Sequence, residues 1–309
     1  MSPTNRTPSR ALAAALICAF IGGAPLISKA QSAASESTPK VANSTLAFSA
    51  VRVGRGRPMI LIPGLLSGGE VWNGAVERYR HRFDMHVLTL AGFAGVPALP
   101  TDKYLEAERD AIIRYIRENR LERPVLVGHS LGAFLAFWVA ATAPDLVGPI
   151  IAVDGVPYLP SLGDTSMTPA KAMGQATRFS AMAATFSSEQ MGMQSAMAMR
   201  AQSRDSSHTV MAARWGRTSD GATMGRAMAE MLTTDLRAEV AAIRTPVLLI
   251  ASGFDFTDDR RNLVLASYAA QVSRIPDRRV VMAKNARHFV MLDDPTYLYS
   301  MIDEFLSTR

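Results

Sequence analysis

Ser130 stands in the pentapeptide Gly128-His129-Ser130-Leu131-Gly132, between an apolar run, Pro124 to Gly128, and an apolar helical stretch, Leu131 to Ala143. A chain that turns sharply from strand to helix holds a serine side chain out above the sheet. That turn crowds the positions two before and two after the serine, and glycine relieves the crowding. The helix that follows aims its first N–H groups at the same point and favours negative charge developing there. The chemistry implied is nucleophilic attack by a hydroxyl, which needs a base to take its proton.

Five histidines are available. His129 is inside the turn, with its side chain directed away from Ser130. His81 and His86 precede or lie in an early strand, and His208 falls in a region without strands. His288 follows the last strand of the pattern, in Ala286-Arg287-His288-Phe289-Val290, and precedes Pro295 and the final helix. Loops after strand C-termini are where parallel sheets assemble their sites, so His288 is the expected general base. A base needs an acid to fix its tautomer and stabilise its cation. Asp255 follows the strand Val247 to Ala251, and the order Ser130, Asp255, His288 suits a serine on such a turn. Asp255 is therefore the expected acid, with Asp154, Asp258 and Asp259 as alternatives. Two backbone N–H groups should face the developing oxyanion. Leu131 supplies one, and Leu65, after Pro63-Gly64 in the loop that closes an early strand, supplies the other.

The elements that must position these residues alternate. Leu46 to Val53, Met59 to Ile62, Met85 to Leu90, Pro124 to Gly128, Pro149 to Val153, Val247 to Ala251 and Arg279 to Ala283 have the pattern of short strands. Between them, Gly69 to Arg80, Tyr104 to Asn119, Leu131 to Ala143, Asn262 to Gln271 and Pro295 to Leu306 suit helices, with Thr101 and Asp102 as candidate caps of the second. This alternation predicts an α/β fold with a mostly parallel sheet flanked by helices. Tyr158 to Leu232 breaks it: the stretch has no convincing strand, is rich in Ala and Met, and predicts an inserted helical segment.

The chain has 309 residues, 48% apolar and 19% charged, which suffices for one large core and excludes a disordered chain. Residues 1–30 have the order of a signal peptide. Arg6 and Arg10 precede the apolar run Ala11 to Ile21, and Ser28-Lys29-Ala30 predicts cleavage before Gln31. Export to the periplasm or medium is expected, with 31–45 as a flexible leader. Cys18, the single cysteine, would leave with the signal. Arg6, Arg10 and Lys29 would also leave, lowering the formal charge from +6 to +3. The remaining charges alternate in sign and form no basic stripe, so neither a nucleic-acid partner nor stable membrane insertion after cleavage is expected. With no metal cluster and no phosphate-cradling loop, no cofactor and no metal are expected.

Together the Gly54-to-Pro58 turn with Met59 to Leu65, Trp72, Gly128 to Gly132, Pro246 to Asp255 and His288 to Leu306 resemble the α/β-hydrolase superfamily, in its lid-bearing esterase and haloperoxidase-like branch. The resemblance covers the chain from about Leu46 to the C-terminus. Two positions depart from it: Pro63 stands where relatives have His, and Ala133 where glycine is common. It implies a hydrolase core over 46–157 and 233–309 and a lid over 158–232. Lids of this type wall the substrate pocket, so Met191, Met193 and Met197 are expected to line an apolar site. Ser130 separates the chain from relatives that use an aspartate there. The function implied is cleavage of a small to medium apolar carboxylic ester or thioester through an acyl-enzyme. Amidase, C–C hydrolase and cofactor-free haloperoxidase chemistry on the same residues are alternatives, as is a non-catalytic ligand-binding protein on this fold. The sequence does not specify an oligomeric state.

Overall fold

The computed structural model describes residues 47–309. The signal-peptide and leader assignments, 1–30 and 31–45, lie outside the described residues. Seven strands form one sheet: β1 (Phe48–Gly54), β2 (Arg57–Ile62), β3 (Phe83–Leu90), β4 (Val125–His129), β5 (Ile150–Val153), β6 (Val247–Ser252) and β7 (Arg278–Ala283). Their order is β1-β3-β2-β4-β5-β6-β7. Only β1 runs antiparallel, pairing Phe48 with Leu90 through Gly54 with Asp84 on β3. The other pairings are parallel. Every residue of β4 and β5 is buried, as a parallel sheet covered on both faces requires.

The covering helices are α1 (Asn73–Tyr79), α2 (Tyr104–Glu118), α3 (Leu131–Thr142), α8 (Asp258–Gln271), α9 (Val290–Asp293) and α10 (Pro295–Ser307). They divide two cores. On one face Ile112 and Ile116 of α2, Phe134 and Phe137 of α3 and Val264 of α8 pack on the sheet. On the other, Trp72, Tyr79 of α1 and Leu298, Ile302 and Phe305 of α10 do so. Burying a Leu, Ile or Phe side chain of this kind contributes about 1.5–3 kcal/mol.

Between β5 and β6 come four helices and no strand: α4 (Pro169–Ala183), α5 (Ser188–Gln202), α6 (His208–Arg217) and α7 (Gly221–Thr233). They pack as two pairs, α4 against α7 and α5 against α6, the second pair inserted in sequence between the helices of the first. One contact corrects the expected cap of α2. Thr101 and Asp102 donate no cap to that helix. The carboxylate of Glu230, on α7, instead accepts the free N–H groups of Tyr104 (2.6 Å) and Leu105 (2.9 Å). A negative charge at a helix N-terminus satisfies orphan donors and the helix dipole together, so the inserted helices are fastened to the sheet layer by a long-range cap.

Candidate active site

Ser130 joins β4 to α3 at φ 55°, ψ −117°, a backbone state that costs a non-glycine residue on the order of 1–3 kcal/mol. The turn is held from both sides. Ser130 N–H donates to Val153 O on β5 (2.9 Å), and Ser130 O accepts from Ala133 N–H (3.0 Å). The flanking glycines are required by space: a Cβ on Gly128 would lie 2.2 Å from Gly132 O, and one on Gly132 would lie 2.2 Å from Ile62 O. The loop after β2 passes over this point, for a Cβ on Gly64 would come within 3.3 Å of Ser130 Cβ. The N–H groups of Leu65 and Leu131 donate no hydrogen bond to the described residues, so both donors assigned to an oxyanion are free to take one.

His288 follows β7 and is buried. Its Nδ1 donates to Oδ2 of Asp154 at 2.7 Å. With the proton on Nδ1, Nε2 is left as an acceptor. Asp154 ends β5 at φ 46° and is enclosed by donors. Ser252 gives its N–H to Oδ1 (2.8 Å) and its hydroxyl to Oδ2 (2.9 Å), and the Tyr268 hydroxyl reaches Oδ1 (2.9 Å). Burial pushes the Asp154 carboxyl up, but the hydrogen bond and charge of His288, with the Ser252 and Tyr268 donors, outweigh it and hold the carboxyl below its ordinary value. Burial first, and then the Asp154 charge, push the Tyr268 hydroxyl well above its own.

Asp255, expected to orient the imidazole, does not reach it. At φ 63° it turns outward, its side chain is 54% exposed, and its Oδ2 accepts from Nε (2.9 Å) and Nη2 (2.8 Å) of Arg287. Asp258 pairs with Arg261. The position expected of Asp255 is filled by Asp154, whose side chain is 3% exposed. The geometry selects it because β5 lies beside β4, and its C-terminal end therefore opens next to Ser130.

His129 is also buried. Its Nε2 donates to the backbone oxygen of His288 (3.1 Å), and the two imidazole rings stand 4.5 Å apart. Burial, and after it the His288 charge, lower its pKa well below the ordinary imidazole value.

Ser130, His288, Asp154 and Leu65 line one cavity. Its apolar walls include Phe134 of α3, Val156, Leu159, Leu162, and Met228 and Met231 of α7. No lysine or arginine among the described residues lines it. Met191, Met193 and Met197, expected as pocket wall, do not line it. Met191 is 1% exposed within the helical packing, and Met193 and Met197, at 44% and 43%, face solvent. Gln202, at the end of α5, lines the cavity through a residue type that no sequence motif marked. Tyr268 and Ser252 could have been found only by knowing that α8 and β6 flank Asp154.

The sequence model of the alpha/beta hydrolase family matches residues 59–300. N-formylmaleamate deformylase of Pseudomonas putida is 27% identical over 264 residues, covering 82% of this chain and 90% of the deformylase. A pimeloyl-(acyl-carrier protein) methyl ester esterase of Aliivibrio salmonicida is 30% identical over 104 residues, which span 34% of this chain and 38% of that esterase. Among solved structures, a thermophilic esterase from Thermogutta terrifontis superposes with a TM-score of 0.70 at 19% identity, over 84% of this chain and 93% of that one. At that identity the likeness is one of fold.

Proposed function

The chain belongs to the alpha/beta hydrolase family and is a hydrolase, and we propose that it cleaves a neutral, apolar carboxylic ester through an acyl-enzyme on Ser130. The observation that carries this reading is the Asp154–His288 hydrogen bond of 2.7 Å in the cavity that Ser130 also lines. Ser130 Oγ attacks the carbonyl carbon while His288 Nε2 takes its proton. Asp154 keeps the other imidazole proton on Nδ1 and stabilises the cation. The tetrahedral oxyanion is held by the N–H groups of Leu65 and Leu131. His288 returns its proton to the leaving alcohol, and the acyl-enzyme forms. Water, deprotonated by His288, then attacks the acyl carbon and releases the acid with Ser130 restored.

The absence of lysine and arginine from the described cavity walls favours a substrate without a carboxylate in the acyl pocket, since an unpaired charge buried there would be costly. A second reading is cleavage of a formamide or amide by the same residues, favoured by the deformylase likeness over most of both chains. Export with cleavage before Gln31 is part of the proposal and rests on the order of residues 1–30 alone. A fluorophosphonate probe should label the wild type on Ser130 and leave Ser130→Ala unlabelled. Matched p-nitrophenyl esters and anilides then rank the two readings. Labelling elsewhere, or hydrolysis by a folded Ser130→Ala at near wild-type rate, would refute the assignment.

A further inference from the structure

A second cavity adjoins the one that holds Ser130. Leu65, Ser67, Gln202 and Phe289 line both and form the neck between them. Beyond the neck the second cavity is walled by Leu66 of the loop after β2, Ala198 and Met199 of α5, and Ala212 and Trp215 of α6. Counted to its open mouth it encloses about 290 Å³, under half of the roughly 710 Å³ of the reaction cavity. None of Phe134, Val156, Leu159, Leu162, Met228 and Met231, the apolar walls of the reaction cavity, borders it. The two cavities therefore share a neck and have separate apolar ends.

Four polar side chains belong to its walls, and three are already engaged or shielded. The Ser67 hydroxyl donates to Leu65 O (3.4 Å), and the Trp215 indole N–H donates to the Glu70 carboxylate. The Ser195 hydroxyl is buried where α5 crosses α6, so close that a Cβ on Gly216 would lie 2.3 Å from it. The side-chain amide of Gln202, at the neck, makes no hydrogen bond with the described residues. It offers both a donor and an acceptor to whatever passes. No Asp, Glu, Lys or Arg among the described residues lines the second cavity, so it suits a neutral group. His288 returns its proton to the leaving atom, so the leaving group departs on the side of His288. Gln202 stands on that side, its backbone O accepting from the N–H of Phe289 (3.1 Å), the residue after His288.

We propose that the second cavity takes the leaving group, and that Gln202 selects a neutral one with an oxygen close to the scissile bond and a short apolar end. This rests on the acyl-enzyme reading above and adds the leaving half of the substrate to it. The amide N–H of Gln202 donates to that oxygen at the neck, and the apolar end lies against Leu66, Met199 and Trp215. A leaving group without the oxygen leaves the Gln202 amide unpaired as water is expelled, and is rejected for that reason.

Kinetics on two substrate pairs tests this: 2-methoxyethyl against n-butyl butyrate, and the matching N-substituted butyramides. In each pair an ether oxygen replaces one methylene and the acyl part is constant. Gln202→Met is close in size and cannot make the hydrogen bond. The methoxyethyl-to-butyl ratio of kcat/KM should be higher in the wild type than in Gln202→Met, on the order of 10-fold, as one neutral hydrogen bond implies. The intrinsic reactivities of the two leaving groups cancel in that comparison. Met199 lines the second cavity and not the reaction cavity. Met199→Ala should therefore raise the hexyl-to-butyl ratio of leaving groups, about fourfold per methylene admitted, and leave the octanoyl-to-acetyl ratio of acyl groups unchanged. Circular dichroism of each variant confirms that it is folded. Equal methoxyethyl-to-butyl ratios in the wild type and Gln202→Met would overturn the proposal. So would a Met199→Ala that shifts only the octanoyl-to-acetyl ratio, which would put the acyl chain in the second cavity. Turnover of the amides alone, with the Gln202 effect present, would sink the ester reading and uphold this one. Fluorophosphonate labelling of Ser130 with neither pair turned over would overturn this proposal and spare the nucleophile.

Discussion

Nδ1 of His288 stands 2.7 Å from Oδ2 of Asp154, so the imidazole is oriented from the end of β5, and the loop after β6 has a different task. That loop carries Asp255, bound to Arg287 beside His288 in sequence. The two aspartates therefore predict unequal losses. Asp154→Asn leaves a side chain that cannot stabilise the imidazolium and favours the wrong tautomer, and it should lower kcat by about 10^3- to 10^4-fold. Asp255→Asn removes a half-exposed ion pair, worth on the order of 0–1 kcal/mol, and should lower kcat by less than ~10-fold. Steady-state kinetics on one activated ester decides the matter, and equal losses would leave the geometry without catalytic meaning.

The wall of the reaction cavity predicts how acyl-chain length is read. Met228 and Met231 line it, while Met193 and Met197 face solvent. Each methylene buried there contributes about 0.8 kcal/mol, close to fourfold in kcat/KM. Met231→Gln should flatten the rise from acetyl to octanoyl esters, and Met193→Gln with Met197→Gln should not. A profile that flattens equally in both variants would show that the cavity does not hold the acyl chain.

Much of this arrangement was legible in the residues, for reasons that also mark where legibility stopped. The β4–Ser130–α3 turn could be read because Gly128 and Gly132 are forced by contacts under 3 Å that any side chain would make. His288 could be read because it follows the last strand. The acid was ambiguous, since Asp154 and Asp255 each follow a sheet strand. Only the register of β5 against β4, which brings Val153 beside His129, puts Asp154 at the imidazole. The methionines were misjudged because α5 and α7 are both Met-rich, and helical periodicity does not say which helix faces the sheet. The Glu230 cap of α2 spans more than a hundred residues and leaves no local trace.

His129 predicts a pH dependence of stability. Its pKa lies well below the ordinary value because it is buried and next to His288. In the unfolded chain it takes up a proton near pH 6.5. Above that pH neither state is protonated and the contribution is complete. As the pH falls below about 6.5 the unfolded chain gains a proton that the folded chain does not, and stability is lost at up to about 1.4 kcal/mol per pH unit. His129→Gln keeps a donor for His288 O but cannot titrate. Urea unfolding between pH 7.5 and 5 should therefore show the wild type losing stability more steeply than the variant, by close to one proton. Parallel curves would mean that His129 titrates normally in the fold.

The last prediction concerns Asp293, the final residue of α9. Its Oδ1 accepts from the Ser203 hydroxyl (2.7 Å) and the Arg204 N–H (2.9 Å), and its Oδ2 accepts the N–H of Arg287 (2.9 Å). One carboxylate thus ties the C-terminal end of α5 to the residue before His288. Phe289, the residue after, donates its N–H to Gln202 O (3.1 Å) and completes the tie from the other side. Asparagine at 293 replaces one acceptor with a donor that faces donors, so at least one of the three contacts must break. The loop holding His288 then loses its anchor to α5, and misplacement by about 1 Å can cost on the order of 10^2-fold in rate. Asp293→Asn should lower kcat by about 10- to 100-fold with KM for a short ester nearly unchanged, because Asp293, Ser203, Arg204 and Arg287 do not line the cavity that holds Ser130. Ser203→Ala removes one of the two α5-side contacts on Asp293, with the Ser203–His208 bond, and leaves the Arg204 and Arg287 N–H groups in place, so it should cost no more than a few-fold. If Asp293→Asn raises KM while sparing kcat, the carboxylate shapes the substrate cavity and does not position His288.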